Sequence, residues 1–488
     1  MWRRRLTTTA AVLSVTALAG CTVGGPRPPD VTPSSTPPAS RNYQPGADGI
    51  GDPYFPGYGN GGYDVGNYDL KLRYDPAKDQ LNGTATIAAL ATADLSRFNL
   101  DLAALKADAV KVNGAAAKWT QTDTELVVTP TTGLASGTQF TVEVTYSGVP
   151  KPFGRPGLGG TGFLHTTDGA LAIGEPESAS SWYPVNDHPM DKATYTIAVT
   201  VPDGLTAVSN GVPEGTAPAD QGWTTWKWSE RSPMASYLST VAIGRYRVKQ
   251  TSHNGKPVFT AVAAALPDGP ADRAIARTPE VADFLASKFG AYPFDAYGGV
   301  VHNETRISFA LETQSRPAYS PGFFPASAVG CRPAGDGTWV IAHELAHQWF
   351  GDSVSVQQWK DIWLNEGFAT YAQWMWYEHE GGPSVAASFD CEYNAAAEEI
   401  WQTPPGDPGP NRLFSGSVYR RGGMALHALR LTVGDDMFFK ILSTWTAEKR
   451  NGNATIAEFI GVAERVSGKP LRPLFDAWLY GTTRPPRP

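Results

Sequence analysis

Two histidines and two glutamates in one short stretch of the chain have the types and the spacing of a metal centre. His343 and His347 are four residues apart, so on a helix both imidazoles project from one face, one turn apart. Glu344 lies between them, and Glu366 follows His347 after eighteen intervening residues. Two imidazoles and a distant carboxylate can hold zinc through three ligands and leave a fourth position open. An open position indicates catalysis rather than a structural role.

Two helices are needed to position these side chains. The first carries the H-E-x-x-H pattern, and a second helical run, 359–376, carries Glu366. The pattern fixes three residues, so it arises by chance in about one in a hundred chains of this length. The competing interpretation is a buried helix with two hydrogen-bonded histidines and a solvated glutamate. The motif, the second glutamate and the aromatic context together favour the metal site.

The sequence around this centre resembles the aminopeptidase N family of zinc metallopeptidases, the gluzincin group that also contains leukotriene hydrolase. The resemblance rests on HELAHQWFGD at 343–352 and WLNEGFATY at 363–371. It implies one Zn²⁺ ion held by the two histidines and Glu366, with Glu344 as the base that activates water. The implied fold is α+β and multidomain. An N-terminal all-β saddle-like domain would precede a thermolysin-like mixed α/β zinc catalytic domain.

The same resemblance implies residues that recognise the substrate. The segment FALET at 309–313 occupies the place of the family's Gly-Ala-Met-Glu-Asn motif, although Phe309 replaces the usual Gly and Thr313 the usual Asn. Ala310 would contact the substrate, and Glu312 would pair with its protonated α-amine. A carboxylate at the closed end of a cleft favours a free amino terminus over a mid-chain amide. It would therefore make the enzyme an aminopeptidase.

Two more segments extend the resemblance on either side of this core. A loop in the first half places Glu175 where the family binds the substrate amine, and Glu177 is its competitor because the alignment depends on that loop. The run SVYRRGG resembles the family's Tyr-x-Lys-Gly helix start, with Arg421 in place of Lys. It implies that Tyr419 donates a hydrogen bond to the oxyanion that forms on the attacked carbonyl.

The amino-terminal region is typical of an exported chain. Three arginines precede a short apolar stretch, 6–20, which predicts a signal peptide at 1–20. Leu-Ala-Gly-Cys at 18–21 resembles a bacterial lipoprotein cleavage box, so lipid on Cys21 would anchor the chain to the outer face of the cell membrane. An ordinary secretory signal is the alternative. The Pro-rich stretch 21–49 would then be an extended tether.

Two cysteines remain beyond this region, Cys331 and Cys391, and they bracket the metal-binding stretch. In an exported chain such a pair is typical of a disulfide, and two unrelated buried thiols are the alternative. A bridge that closes a loop of about sixty residues would stabilise the fold by roughly 4 kcal/mol.

Apolar periodicity divides the chain into two domains. Alternation with period two predicts half-buried strands, most clearly at 68–74, 140–146 and 195–201. It indicates a β domain over 50–249 and leaves 250–488 for the catalytic domain.

Helix signals follow in the second half of the chain. Thr278 is the predicted N-cap of a helix that ends at Gly290. The segment 455–481 reads as two amphipathic helices.

Charge and motifs together limit the function. The chain has 488 residues and a formal net charge of -7, and it offers no basic patch for nucleic acid. The sequence predicts an extracytoplasmic zinc aminopeptidase that acts on peptides with a free amino terminus, of unknown oligomeric state. A zinc endopeptidase without amine recognition and a non-catalytic, lipid-anchored surface binding protein are the alternatives.

Overall fold

Alternating apolar residues form strands throughout the first half of the structure. The computed structural model describes residues 41–155 and 159–488. The strands of the first half are β1 (Gln44–Pro45), β2 (Tyr63–Asp75), β3 (Gln80–Ala91), β4 (Leu95–Asp101), β5 (Lys106–Val112), β6 (Ala115–Ala116), β7 (Lys118–Gln121), β8 (Glu125–Thr129), β9 (Gln139–Gly148), β10 (Phe153–Arg155), β11 (Gly159–His165), β12 (Ala170–Ile173), β13 (Ala193–Pro202), β14 (Thr206–Ser209), β15 (Val212–Pro218), β16 (Trp223–Met234) and β17 (Val241–Gly244).

These strands form three sheets. The largest has eight strands in the order β15-β16-β13-β2-β3-β9-β5-β6, a second has the order β10-β11-β12-β17-β14, and a third has the order β1-β4-β8-β7. β2 and β13 pair in parallel, with Leu70 opposite Ile197, and both residues are buried. The three stretches with the clearest period-two pattern are β2, β9 and β13 of the largest sheet. The prediction of a β domain is confirmed.

The predicted tether, 21–49, overlaps the described part of the chain at its carboxyl end. There the backbone N–H of Gln44 donates to Asp94 O and that of Gly46 donates to Arg97 O, both at 2.9 Å. Because β1 pairs with β4 in this way, the β domain begins earlier than predicted and any extended tether is shorter. The predicted signal peptide and Cys21 lie outside the described residues.

The second half of the chain mixes strands with helices. Its strands are β18 (Tyr246–His253), β19 (Lys256–Ala263), β20 (Tyr297–Val301), β21 (Ala318–Tyr319), β22 (Val354–Val356) and β23 (Gly452–Ala454). Its helices are α1 (Pro270–Ile275), α2 (Thr278–Phe289), α3 (Thr338–Ala346), α4 (Trp363–His379), α5 (Val385–Ala395), α6 (Glu398–Gln402), α7 (Gly422–Val433), α8 (Asp435–Glu448), α9 (Ile456–Ser467) and α10 (Arg472–Phe475). β18 to β21 form one sheet in chain order, so this domain begins at Tyr246, four residues before the predicted division at 250.

Two buried helices, α3 and α4, form the centre of the catalytic half. α3 begins after Gly337, whose φ of 93° is left-handed and whose missing Cβ would lie 2.2 Å from Phe323 O. In α4 fourteen of seventeen residues are buried. A helix that is buried on most of its surface has no broad polar face, and the sequence of α4 accordingly carries aromatic residues on several sides. Because most residues of both helices are buried, the side chains that the helices present to each other have little freedom.

The start of α2 tests the predicted capping residue, and the start of α9 shows a cap that was not predicted. Thr278 is the first residue of α2, and its hydroxyl donates back to Ile275 O at 2.8 Å. It therefore does not cap the helix, and this prediction was wrong because the hydroxyl is used by the preceding turn. At α9, by contrast, Thr455 accepts from the N–H of Glu458, and the Glu458 side chain accepts from the N–H of Thr455, which is a complete capping box.

A buried arginine joins the two halves of the chain. Arg316 is fully buried and donates to Ser209 O and Gly211 O of the β domain, and also to Phe259 O and Tyr297 O of the catalytic sheet. Its guanidinium group supplies donors to carbonyl groups that would otherwise be buried without partners. Both sets of carbonyl groups belong to one compact unit, 42–488.

A disulfide joins Cys331 to Cys391 across sixty residues of sequence. We expect the double substitution Cys331→Ser and Cys391→Ser to lower the free energy of unfolding by roughly 4 kcal/mol, because the open chain gains conformational entropy when it unfolds. Urea unfolding of the oxidised protein and of the double variant measures the difference. Equal stabilities would show that the bridge constrains nothing.

Within the part of the chain that the structure describes, no helix combines the length and the apolar character needed to cross a bilayer.

Candidate active site

Three predicted metal ligands converge between α3 and α4. His343 lies in the last turn of α3 and His347 caps its carboxyl end, while Glu366 lies in the first turn of α4. Nε2 of His343 is 3.3 Å from Oε2 of Glu366, and Nε2 of His347 is 3.5 Å from the same oxygen. All three side chains are buried. The helix crossing therefore brings together residues that are separated in sequence.

These distances suit a small tetrahedral cation. Bonds of about 2.0–2.1 Å at tetrahedral angles place two ligand atoms roughly 3.3 Å apart, which agrees with the observed separations. A second set, His347 with Glu312 and Glu344, also lies within metal-binding range, but it shares His347 and has one imidazole only. Zinc favours the set with two imidazoles and one carboxylate, so the residues present fit this ion at the first set.

Surrounding contacts orient the imidazoles and set the charges. Nδ1 of His347 lies 3.0 Å from Phe350 O, and because a carbonyl only accepts, Nδ1 carries the proton and Nε2 is free to face Glu366. Burial acts to raise the pKa of Glu366, but the neighbouring His347 and His343 outweigh it and hold the pKa at about 2. Burial acts to lower the pKa of His347, yet the carboxylates of Glu312 and Glu366 raise it well above its usual range.

The predicted base and the predicted oxyanion donor line one cavity with these ligands. Its volume is about 320 Å³. Glu344 is buried, and its burial raises its pKa well above the usual range. Tyr419 belongs to a π-helical turn, Ser417–Arg421, and its ring stacks on that of His343 with centroids 6.1 Å apart. Burial and the charge of Glu366 raise the pKa of Tyr419, so its hydroxyl remains a donor.

The predicted amine-binding glutamate also lies in this cavity. The hydroxyl of Tyr237 donates to Oε1 of Glu312 at 3.3 Å, and Nε2 of Gln348 donates to the backbone oxygen of Glu312 at 3.0 Å. Burial raises the pKa of Glu312. Ala310 lines the cavity, whereas the hydroxyl of Thr313 donates to Arg316 O at 2.6 Å. The backbone N–H of Leu311 donates to Ala318 O at 2.9 Å, so the segment is anchored on both sides of the glutamate.

The structure distinguishes between Glu175 and Glu177, the two candidates for the amine-binding glutamate of the first half. Glu175 lines the cavity with Glu312 and is buried, whereas Glu177 lines a different cavity beside Asp187. Burial, followed by the charge of Glu312, raises the pKa of Glu175 well above its usual range. Of the two candidates, only Glu175 therefore lines the cavity that holds the predicted metal ligands.

Three residues that support the site were not predicted. Tyr237 lies 75 residues before Glu312, so no spacing in the sequence indicated the contact. Gln348 follows Glu344 by one helical turn and could have been found from the motif. The ammonium group of Lys192 donates to the backbone oxygens of Asp352 and Ser353, at 2.7 and 3.1 Å, and holds the turn after α3; burial lowers its pKa to about 7.

Two family models match the chain in its two halves. The Peptidase M1 N-terminal domain matches residues 65–238, and the Peptidase family M1 domain matches residues 332–478. Among curated relatives, aminopeptidase N of Streptomyces lividans is 28% identical over 60% of this chain and 36% of its own length. Glutamyl aminopeptidase of Sus scrofa is 26% identical over 62% of this chain and 34% of its own length. The chain thus spans about a third of the length of these relatives.

A solved structure resembles the chain over nearly its whole length. It is a mutant M1 zinc metallopeptidase from Deinococcus radiodurans bound to a Tyr-Ser-Ala substrate, with a TM-score of 0.80 and 30% identity over 90% of this chain and 99% of the other. The β domain, the helical catalytic half and the two-histidine, one-glutamate centre define a zinc metallopeptidase architecture. The predicted fold class is thereby confirmed. The chain belongs to peptidase family M1.

Proposed function

We propose that the chain is an extracytoplasmic zinc aminopeptidase that hydrolyses the first peptide bond of peptides with a free amino terminus. The observation that carries this proposal is the shared cavity, because the residues predicted as metal ligands, base, oxyanion donor and amine-binding carboxylates all line it. The relatives named aminopeptidase N and glutamyl aminopeptidase support it, as does the bound tripeptide in the related structure.

His343, His347 and Glu366 would hold one zinc ion. When bound, zinc supplies positive charge that polarises the scissile carbonyl and favours ionisation of water. The Glu344 carboxylate accepts the proton of the attacking water and then delivers it to the leaving nitrogen. The Tyr419 hydroxyl donates to the carbonyl oxygen as negative charge develops on it.

Glu312 and Glu175 would determine that only the first bond reaches the base. Both carboxylates are buried at the cavity wall, where a charge-assisted hydrogen bond to an ammonium group is strong. A mid-chain amide has no positive charge to offer them and would leave both carboxylates without a cationic partner from the substrate. Binding the amino terminus therefore sets the register of the peptide.

Acetylation of the substrate amine tests this register. We expect an N-acetylated peptide to be cleaved at least about 100-fold more slowly than the free peptide, because two buried carboxylates lose their charged partner. The measurement compares kcat/KM for one peptide in both forms, with and without a zinc chelator. Equal cleavage of the two forms would favour the endopeptidase alternative. Zinc binding without cleavage of any peptide would favour the binding protein.

Removal of the Tyr419 hydroxyl tests the oxyanion contact. Tyr419→Phe is expected to lower kcat by about 100- to 1,000-fold with little change in KM, because the donor acts on charge that develops only in the transition state. Tyr393→Phe, on α5 outside the cavity, is the matched control and should leave kcat unchanged. A kcat for Tyr419→Phe within about threefold of the original would remove Tyr419 from the mechanism.

The extracytoplasmic location rests on the amino-terminal sequence alone. Lipid on Cys21 would anchor the enzyme to the outer face of the cell membrane. Cell fractionation of the full chain and of Cys21→Ser tests this: the original should sediment with membranes and the variant should not. Membrane association that survives the substitution would contradict the lipid anchor.

A further inference from the structure

Four aromatic side chains form a wall of the active-site cavity. Phe309, Phe323, Trp339 and Phe414 all line it, and all four are partly buried against the core. Phe323 and Trp339 meet edge to face, with ring centroids 5.5 Å apart. Such surfaces gain most from contact with an aromatic or large aliphatic side chain. We call these four residues the aromatic wall.

The aromatic wall adjoins the residues that would bind and cleave the peptide. Trp339 precedes His343 by four residues on α3, so both side chains lie on one face of the helix, one turn apart. Phe309 precedes Glu312 by only three residues. A peptide held at its amine by Glu312, with its first carbonyl at the metal centre, must therefore place its first side chain in this same cavity.

The cavity offers no basic side chain to an acidic substrate. Among the described residues that line it there is no lysine or arginine. Four carboxylates line the same space: Glu175, Glu312, Glu344 and Glu366. Arg332 packs on the wall, with its guanidinium carbon 4.6 Å from the ring centre of Trp339, but it does not line the cavity. An acidic side chain that entered the cavity would lose its hydration and would be repelled by these carboxylates, so its binding would be unfavourable.

We infer that the chain prefers peptides whose first residue is aromatic or large and aliphatic, and that it rejects an acidic first residue. The inference rests on the proposed aminopeptidase function and specifies its substrate class. It distinguishes the chain from the relatives named glutamyl aminopeptidase, although their sequences match over most of this chain.

A panel of single amino-acid amide reporters tests the preference in the full, zinc-loaded protein. The expected kcat/KM for the Phe and Leu reporters is at least about 100-fold higher than for the Glu and Asp reporters, with Ala between them. Comparable values for Phe and Glu would overturn the inference while leaving the aminopeptidase function intact. Failure to cleave any reporter would overturn the proposed function itself, and the inference with it.

Variants of the aromatic wall show whether its side chains contact the substrate or only stabilise the fold. Phe309→Gly, which restores the residue usual in the resembling family, is expected to lower kcat/KM about tenfold for the Phe reporter and less for Ala. Trp119→Ala changes an exposed aromatic residue on β7, outside the cavity, and should change neither value. Equal losses for the Phe and Ala reporters in Phe309→Gly would show that the side chain does not read the substrate.

Adding a basic side chain tests whether the negative charge of the cavity excludes acidic substrates. Ser308 lines the cavity and is exposed, so Ser308→Arg places a guanidinium group at its rim. The ratio of kcat/KM for Glu over Phe should rise at least about tenfold, and the gain should shrink at high salt, whereas Ser308→Gln should leave the ratio unchanged. An unchanged ratio in Ser308→Arg would overturn the argument. A Glu activity that depends on Arg332, lost in Arg332→Met, would do the same.

Discussion

Replacement of Glu344 by Gln is expected to lower kcat by about 1,000- to 10,000-fold while the protein still binds zinc. The amide has nearly the shape of the carboxylate, but it cannot accept a proton from water at neutral pH. Glu344 does not belong to the ligand set of His343, His347 and Glu366, so the metal site should remain intact. Single-turnover rates on the Phe reporter and metal analysis of the purified variant provide the two measurements.

A matched substitution shows whether the loss of kcat is specific to Glu344 in the active site. Glu378→Gln removes the same charge from an exposed position on α4 and should leave kcat unchanged. A Glu344→Gln enzyme that keeps a tenth or more of the original rate would exclude this residue as the base. Loss of zinc together with activity would show instead that Glu344 supports the metal, as its membership of the second ligand set allows.

Replacement of Arg316 by Met is expected to lower the free energy of unfolding by about 3–5 kcal/mol. The methionine fills much of the volume, but carbonyl groups of both domains lose a charged donor at once. Gly298 shows how closely the arginine is packed, because a Cβ at that position would lie 1.9 Å from its Nη1 atom. Urea unfolding followed by tryptophan fluorescence measures the loss.

The control for this variant removes an exposed arginine. Arg231 pairs with Glu214 at 2.7 Å on the surface of the β domain, and its side chain is 59% exposed. Arg231→Met should cost less than about 1 kcal/mol, because solvent screens the pair. Similar losses for the two variants would mean that the buried carbonyl groups of Arg316 find other partners and that the arginine does not join the domains.

Much of the metal centre could be predicted because its ligands obey local geometry. His343 and His347 had to share a helix face if the segment was helical, and Glu366 was recognisable from a second helical run. The structure places all three together. Period-two strands were equally predictable, since one buried face leaves its alternation in the sequence. The N-cap predicted at Thr278 was wrong, because a threonine hydroxyl can also bond to a nearby backbone oxygen, here that of Ile275.

Other features could not be predicted, because they depend on contacts between segments that are far apart in the sequence. Glu175 and Glu177 are two residues apart with the same chemistry, and only the folded loop turns one into the active-site cavity and the other into a different one. Tyr237 reaches Glu312 across 75 residues of sequence. Strand β1 lies within the predicted tether. It could not be predicted locally, because Gln44 pairs with Leu95 of β4, 51 residues further along the chain.

By itself, the sequence predicted the candidate metal ligands and the family resemblance, because both depend on short motifs that can be read directly from the chain. It also predicted the order of a β domain followed by a mixed domain, because helical and strand periodicities record which faces are buried. Only the tertiary structure decided which of Glu175 and Glu177 lines the active-site cavity, how Arg316 bonds to both domains and which aromatic side chains form the cavity wall. These are outcomes of packing between distant segments. Their free energy comes from contacts that exist only once the whole chain has folded.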